Sequence, residues 1–164
     1  SALSLGQSVI DEAKVKYFDA KVADVDQDGD ALPIVYADSL SATLGREGSS
    51  ETSVPVPDTL TTASPFTAAS PGYSSQNKFD DVDDYNGYKR IAFASSMGPF
   101  SIIDTVYYVL ESDPGQKSAT QTFYKKVVVT VRHRNMYPSS VPYDQWTGKY
   151  YVQFSDVSVY RRYF

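Results

Sequence analysis

Gln121–Arg134 reads QTFYKKVVVTVRHR, with the period of two that marks a β-strand covered on one face. Phe123, Val127, Val129 and Val131 fall on one side of such a strand, and Tyr124, Lys126, Thr130 and Arg132 on the other. Upstream, Ile102–Glu111 (IIDTVYYVLE) alternates partly and is rich in β-branched and aromatic residues. Ser112-Asp113-Pro114-Gly115 supplies a turn between the two. Arg90–Ser95 (RIAFAS) reads as a shorter strand. Downstream, Pro138 and Pro142 bound a loop that contains Trp146. Lys149–Phe164 (KYYVQFSDVSVYRRYF) then gives a last strand or hairpin, with Ser155-Asp156 as a bulge or turn. Consecutive strands with short links predict an antiparallel meander.

Ahead of the strands stands Phe79–Tyr88, FDDVDDYNGY. Asp80, Asp81, Asp83 and Asp84 crowd a short turn, and Asn86-Gly87 supplies residues that tolerate positive φ. Phe79, Tyr85 and Tyr88 are placed to pin that turn onto a sheet. An acidic turn is ordinarily a solvated one. Capping and turn formation explain the run better than a metal site or a glycosidase pair, because neighbours in an extended segment point in opposite directions. Before it, Glu47–Gln76 is dominated by Ser, Thr, Pro and Gly, a composition that cannot order itself alone. The expectation is a long exposed loop over 45–78, touching the domain through Val54, Leu60 and Phe66. It reads either as a variable connection or as a partner-facing surface; without an N-x-[ST] sequon, any sugar on it is O-linked.

From Leu5 to about Ala20 the pattern is that of an amphipathic helix. Leu3, Gly6, Ile10, Ala13 and Tyr17 follow helical spacing, Val9 and Phe18 widen the apolar face, and Asp11, Glu12, Lys14 and Lys16 decorate the other. One helix before a run of strands indicates α+β. The reading is therefore one domain over 1–164: a helix in 1–20, the loop in 45–78, and the acidic turn with an antiparallel sheet in 79–164.

At 164 residues the chain has room for one core. Its net charge of −5 argues against a nucleic-acid surface, which needs a concentrated basic patch. There is no cysteine, so disulfides, cysteine zinc sites and thiol nucleophiles are excluded. The 14 tyrosines suit exposed strands and contact surfaces, because the ring packs while the hydroxyl stays wet. No apolar run approaches the ~20 residues of a membrane span.

Asp24, Asp26, Asp28 and Asp30 of DVDQDGD occupy alternate positions of a calcium-loop pattern, with Gly29 where the sharp turn falls. Val35 stands where the closing Glu belongs, which leaves a solvated helix-ending turn as the other reading; Asp38 is a candidate substitute ligand. His133, the chain's single histidine, shares a side with Val131 and Phe123 and reads as a strand-end residue rather than a catalyst. No Ser-His-Asp arrangement and no phosphate loop can be assembled, so no enzyme is expected. Tyr143, Trp146, Tyr150 and Tyr151 suit either sugar stacking or packing of their loop onto the sheet. Tyr160, Arg161, Arg162 and Tyr163 offer a basic, aromatic edge for protein contacts.

Three segments, Ala2–Phe18 (ALSLGQSVIDEAKVKYF), Phe79–Tyr88 and Phe123–Val131 (FYKKVVVTV), in this order, resemble the type IV pilin and type II secretion pseudopilin superfamily, and within it the prepilin-type minor pilins similar to those of mannose-sensitive haemagglutinin pili. The resemblance implies a non-enzymatic filament subunit whose opening helix continues a longer apolar one trimmed away before Ser1. It implies an inner-membrane-anchored precursor, then an extracellular or periplasmic filament, with other subunits as partners through the helix and the sheet edge. It also implies calcium as the staple in place of the missing disulfide. The alternative is a calcium-stabilised β-rich adhesion or carbohydrate-binding module.

Overall fold

A computed structural model describes residues 2–22, 34–46, 79–94, 98–136, 138, 140 and 150–161. One helix, α1 (Ala2–Lys14), is followed by four strands: β1 (Lys89–Ala94), β2 (Gly98–Tyr108), β3 (Tyr124–His133) and β4 (Val152–Val159). They form one sheet in the order β1-β2-β3-β4, every neighbouring pair antiparallel. The expected α+β layout and meander are both present.

α1 lies across β3 and β4. It buries Gly6, Val9, Ile10 and Ala13; Leu3, expected on the same stripe, is exposed instead. Beneath them sit Val127, Val129 and Val131 of β3, with Ile102 and Val106 of β2 in the same core. At Gly6 the helix passes tightly over a ring of β4. A Cβ built there would lie 2.3 Å from Cδ2 of Phe154 on β4, so the ring occupies the space that any side chain would need.

The helix ends at Lys14, short of the expected Ala20. The reason is a competing partner for the backbone. The Tyr17 N–H donates to the Asp80 carbonyl at 3.0 Å, and the Val82 N–H donates to the Tyr17 carbonyl at 2.8 Å. The acidic turn thereby meets hydrogen-bonding demands that another helical turn would otherwise have met. Tyr17 consequently faces solvent instead of continuing the buried stripe. Phe18 turns inward to a second apolar cluster with Leu40 and Tyr108. Within Ile34–Leu44 the chain makes only a short 3-10 turn at Ala37–Ser39, which delivers Leu40 to that cluster.

The strands depart from expectation in two places. β2 starts at Gly98 rather than Ile102 and stops at Tyr108. Its connection to β3 is tied down by a Val109–Lys117 bridge and by a turn in which the Asp113 carbonyl accepts from the Gln116 N–H at 2.9 Å. β4 carries no bulge at Ser155-Asp156: Ser155 pairs with Val128 and Asp156 with Val127 in unbroken register. Asp156 reads like a turn residue, but its carboxylate has other work. It accepts from Lys14 Nζ at 2.6 Å and from the Val157 N–H at 2.7 Å. Phe123 lies just before β3, and the Ser/Thr/Pro-rich stretch over 47–78 lies outside the described residues.

Candidate functional site

The acidic turn folds because its own carboxylates replace missing backbone partners. Asp81 Oδ1 accepts from the N–H groups of Asp83 (2.8 Å) and Asp84 (3.1 Å). Asp84 Oδ2 accepts from those of Asp80 (2.9 Å) and Asp81 (3.3 Å). Short Asp side chains make such local bonds readily, and here they wind Asp83–Tyr85 into a 3-10 turn. Gly87 follows at φ +78°, in the region that favours glycine. Its N–H donates to the Asp104 carbonyl at 3.0 Å, and the Asp104 N–H donates to the Tyr88 carbonyl at 2.8 Å. Asn86 Oδ1 accepts from the Val106 N–H at 3.1 Å. The turn therefore extends the rim of β2 beyond the end of β1.

Phe79, Tyr85 and Tyr88 do pin the turn to the core, stacked edge to face with centroids 5.1 to 5.9 Å apart. The Tyr85 hydroxyl donates to Glu12 Oε1 of α1 at 2.8 Å, and burial chiefly, then Glu12, pushes its ionisation far above the ordinary tyrosine range. The expectation of a solvated turn is overturned. Asp81, Asp83 and Asp84 are all buried, because the rings draw the segment inward and the backbone N–H groups follow the carboxylates.

A buried lysine faces this turn. Lys125 stands on the covered side of β3, and its side chain has no solvent exposure. An ammonium has three hydrogens to donate, and Lys125 Nζ has a contact for each. It donates to the Phe18 carbonyl at 2.7 Å, to Asp19 Oδ2 at 2.9 Å, and to Asp83 Oδ1. The ring centroids of Phe18 and Tyr108 lie 4.6 and 5.2 Å from it, so the charge is walled by aromatic faces.

The two carboxylates on this lysine differ. Asp19 Oδ1 accepts from the Ser41 hydroxyl (2.9 Å) and the Lys21 N–H (3.1 Å), and its Oδ2 accepts from the Ser41 N–H (3.0 Å); the Tyr108 hydroxyl shares its one hydrogen between the Ser41 carbonyl (2.8 Å) and, more weakly, Asp19 Oδ2 (3.3 Å). Burial pushes its pKa up, but Lys125 and the Ser41 bonds outweigh that and hold the group below the usual carboxylate range. Asp83 has Lys125 on Oδ1 and no hydrogen bond to Oδ2 among the described residues. Burial dominates there and Lys125 offsets it only partly, so Asp83 sits above the usual range. Burial, aided by Asp19, likewise raises Tyr108 far above its ordinary value.

Of the residues singled out from sequence, Asp80, Asp81, Asp83 and Asp84 are brought together. Oxygens of Asp80, Asp81 and Asp84 lie within 4.8 Å of one another, a spacing at which one divalent cation can be shared. Asp24, Asp26, Asp28 and Asp30 lie outside the described residues, as do Tyr143, Trp146, Arg162 and Tyr163. Tyr151 is exposed, with the Arg132 guanidinium over its ring at 5.7 Å. Tyr160 is no free edge: its ring stacks on Phe123 at 5.6 Å and its hydroxyl accepts from the Ile34 N–H at 3.1 Å. His133 is buried at the end of β3 with its ring 4.4 Å from that of Phe100, a packing role.

Sequence reasoning missed Lys125 and Asp19. The signal for the first was present, since Lys125 shares parity with Val127, Val129 and Val131. Compared with known protein families, curated proteins and solved structures, the chain matches none.

Proposed function

We propose that this chain is the globular head of a pilin-like filament subunit, a structural protein and not an enzyme. The observation that carries the reading is the way α1 is mounted. One flank is sealed onto β3 and β4 through Gly6, Val9, Ile10 and Ala13. Leu3 near its start and Val15 just past its end remain 62% and 81% exposed. Between them the outer flank is polar, with Ser4, Gln7, Ser8, Asp11 and Lys14 exposed, so helices of neighbouring subunits would meet this one through Leu3 and Val15 at its two ends. Asp80 and Val82, bonded to the Tyr17 backbone, and Asp83, bonded to Lys125, tie the helix exit to the sheet. A subunit that passes tension from helix to head needs such a joint.

On this reading the subunit begins as an inner-membrane-anchored precursor and ends in an extracellular or periplasmic filament. Among the described residues no helix is long and apolar enough to cross a membrane; the anchor would be an apolar span of ~20 residues encoded ahead of Ser1. These 164 residues hold no cysteine to compete with an introduced one. Cysteines placed one at a time at Leu3, Gln7 and Val15 of the full-length protein, oxidised in its own cells, should give disulfide-linked dimers. Monomer at all three positions would overturn the proposal.

A further inference from the structure

The contact between Lys125 and the acidic turn brings an amine against a carboxyl group in a dry site. Lys125, Asp19 and Asp83 have no solvent-exposed side-chain surface, and the rings of Phe18 and Tyr108 wall the lysine nitrogen. We infer that the Nζ of Lys125 and the Cγ of Asp83 join in an isopeptide bond once the chain has folded, with Asp19 as the group that moves the protons.

The roles follow from the bonding of each carboxylate. Asp19 is surrounded by donors at both oxygens, from Ser41, Lys21 and Lys125, which hold it as an anion. Asp83 has no hydrogen bond to Oδ2 among the described residues, so that oxygen has a place for a proton while Lys125 holds Oδ1. The pKa directions agree: burial lifts Asp83 and the donors keep Asp19 low. Two carboxyl groups pushed apart by their surroundings are an acid and base pair. The attacking nitrogen already touches the group it attacks, and fixed proximity of that kind removes much of the entropic barrier.

The step balances without a co-reactant. The ammonium of Lys125 passes one proton, by way of Asp19, to the carboxylate of Asp83. The lone pair of the neutral amine adds to Cγ of Asp83, forming the C–N bond and a tetrahedral centre. Asp19 takes a second proton from the nitrogen and delivers it to the departing hydroxyl, the C–O bond breaks, and water leaves. Ammonium and carboxylate have become an amide and one water, with nothing oxidised or reduced. Burial favours this direction, because a desolvated ion pair is costly and a neutral amide carries no such penalty. Phe18, Tyr108 and the sheet keep bulk water from reversing it. The product would tie β3 covalently to the turn ahead of β1 in a chain that has no cysteine. This rests on no part of the filament reading.

The experiment is the intact mass of the folded, full-length protein. It should be lighter than its sequence by one water. Trypsin should fail at the acylated Lys125 and yield a branched species joining Phe79–Lys89 to Ser118–Lys126. The full sequence mass in the wild-type protein overturns the inference, and needs no variant to fold. Loss of one water confined to a single linear peptide, as in a cyclised aspartate, overturns it too. The Asp19→Asn protein, shown folded by circular dichroism, should keep its full mass; bond formation there at the wild-type rate would remove Asp19 from the chemistry.

Discussion

Gly6→Ala offers the sharpest test of how the helix is seated. On helix propensity alone the change should stabilise, since alanine gains up to ~1 kcal/mol over glycine in a helix interior. The packing points the other way. The new Cβ would stand 2.3 and 2.4 Å from two ring carbons of Phe154 and 3.1 Å from a third, so the ring has to move by more than an ångström. Phe154 of β4 lies in register with Val129 of β3 and packs, partly buried, against the core, so the ring can retreat only by giving up that packing. Forcing such a ring off its rotamer costs roughly 0.5–1.5 kcal/mol, and overpacking of this kind typically costs about 1–3 kcal/mol. The net expectation is a loss of about 1–2 kcal/mol after the propensity gain. In a domain of this size each kcal/mol moves the melting point by about 2–4 °C, so Tm should fall by several degrees. The Phe154→Leu background should remove most of that loss, and the double-mutant cycle between the sites should show clear coupling. An unchanged or higher Tm in Gly6→Ala, with no coupling to Phe154, would refute the close approach of α1 to β4.

Two further outcomes can be checked in the same melting assay. Lys14 and Asp156 pair at 2.6 Å with both side chains substantially exposed, so Asp156→Asn should cost no more than about 0.5 kcal/mol, and less in high salt. Its pH dependence has a fixed sign. The hydrogen bond from Lys14 chiefly, and one from the Val157 N–H, lower the Asp156 pKa from 3.8 in the folded chain, so the stabilisation is complete above that value and is lost as pH falls through the lower folded pKa; a variant whose deficit persists in strong acid would contradict this. Calcium, if Asp24, Asp26, Asp28 and Asp30 hold it, should raise Tm in proportion to the logarithm of its free concentration once the site saturates; a Tm indifferent to both calcium and chelator would remove those residues from consideration.

The fold was legible where periodicity had only one solution. The alternation of Val127, Val129 and Val131 demanded a strand with one covered face, and Gly6, Ile10 and Ala13 demanded a helix to cover it. Boundaries failed where tertiary partners outbid local pattern. Val15 to Phe18 keeps helical spacing, yet the chain leaves the helix because Asp80 and Val82 offer the Tyr17 backbone hydrogen bonds that a lone helix end cannot match. Ser155-Asp156 has turn chemistry, but eight continuous partners on β3 hold it in the strand, and the charge of Asp156 is answered by a lysine 142 residues away.

The site was half legible for a more instructive reason. Local pattern shows that FDDVDDYNGY makes a turn; it does not show whether its carboxylates face water. That depends on what lies opposite, and the cue was a single charged residue in phase with valines. Lys125 shares the side of Val127, Val129 and Val131, where an unpaired ammonium would be prohibitively costly. Its burial therefore required carboxylates from elsewhere in the chain, and the acidic run was the densest supply. Read together, an in-phase lysine and an acidic run predict each other, although neither means much alone. The same logic shows why Asp19 escaped notice. It stands as an ordinary polar residue after Phe18, and only the chain's turn out of α1 carries it to Ser41, Tyr108 and Lys125 at once.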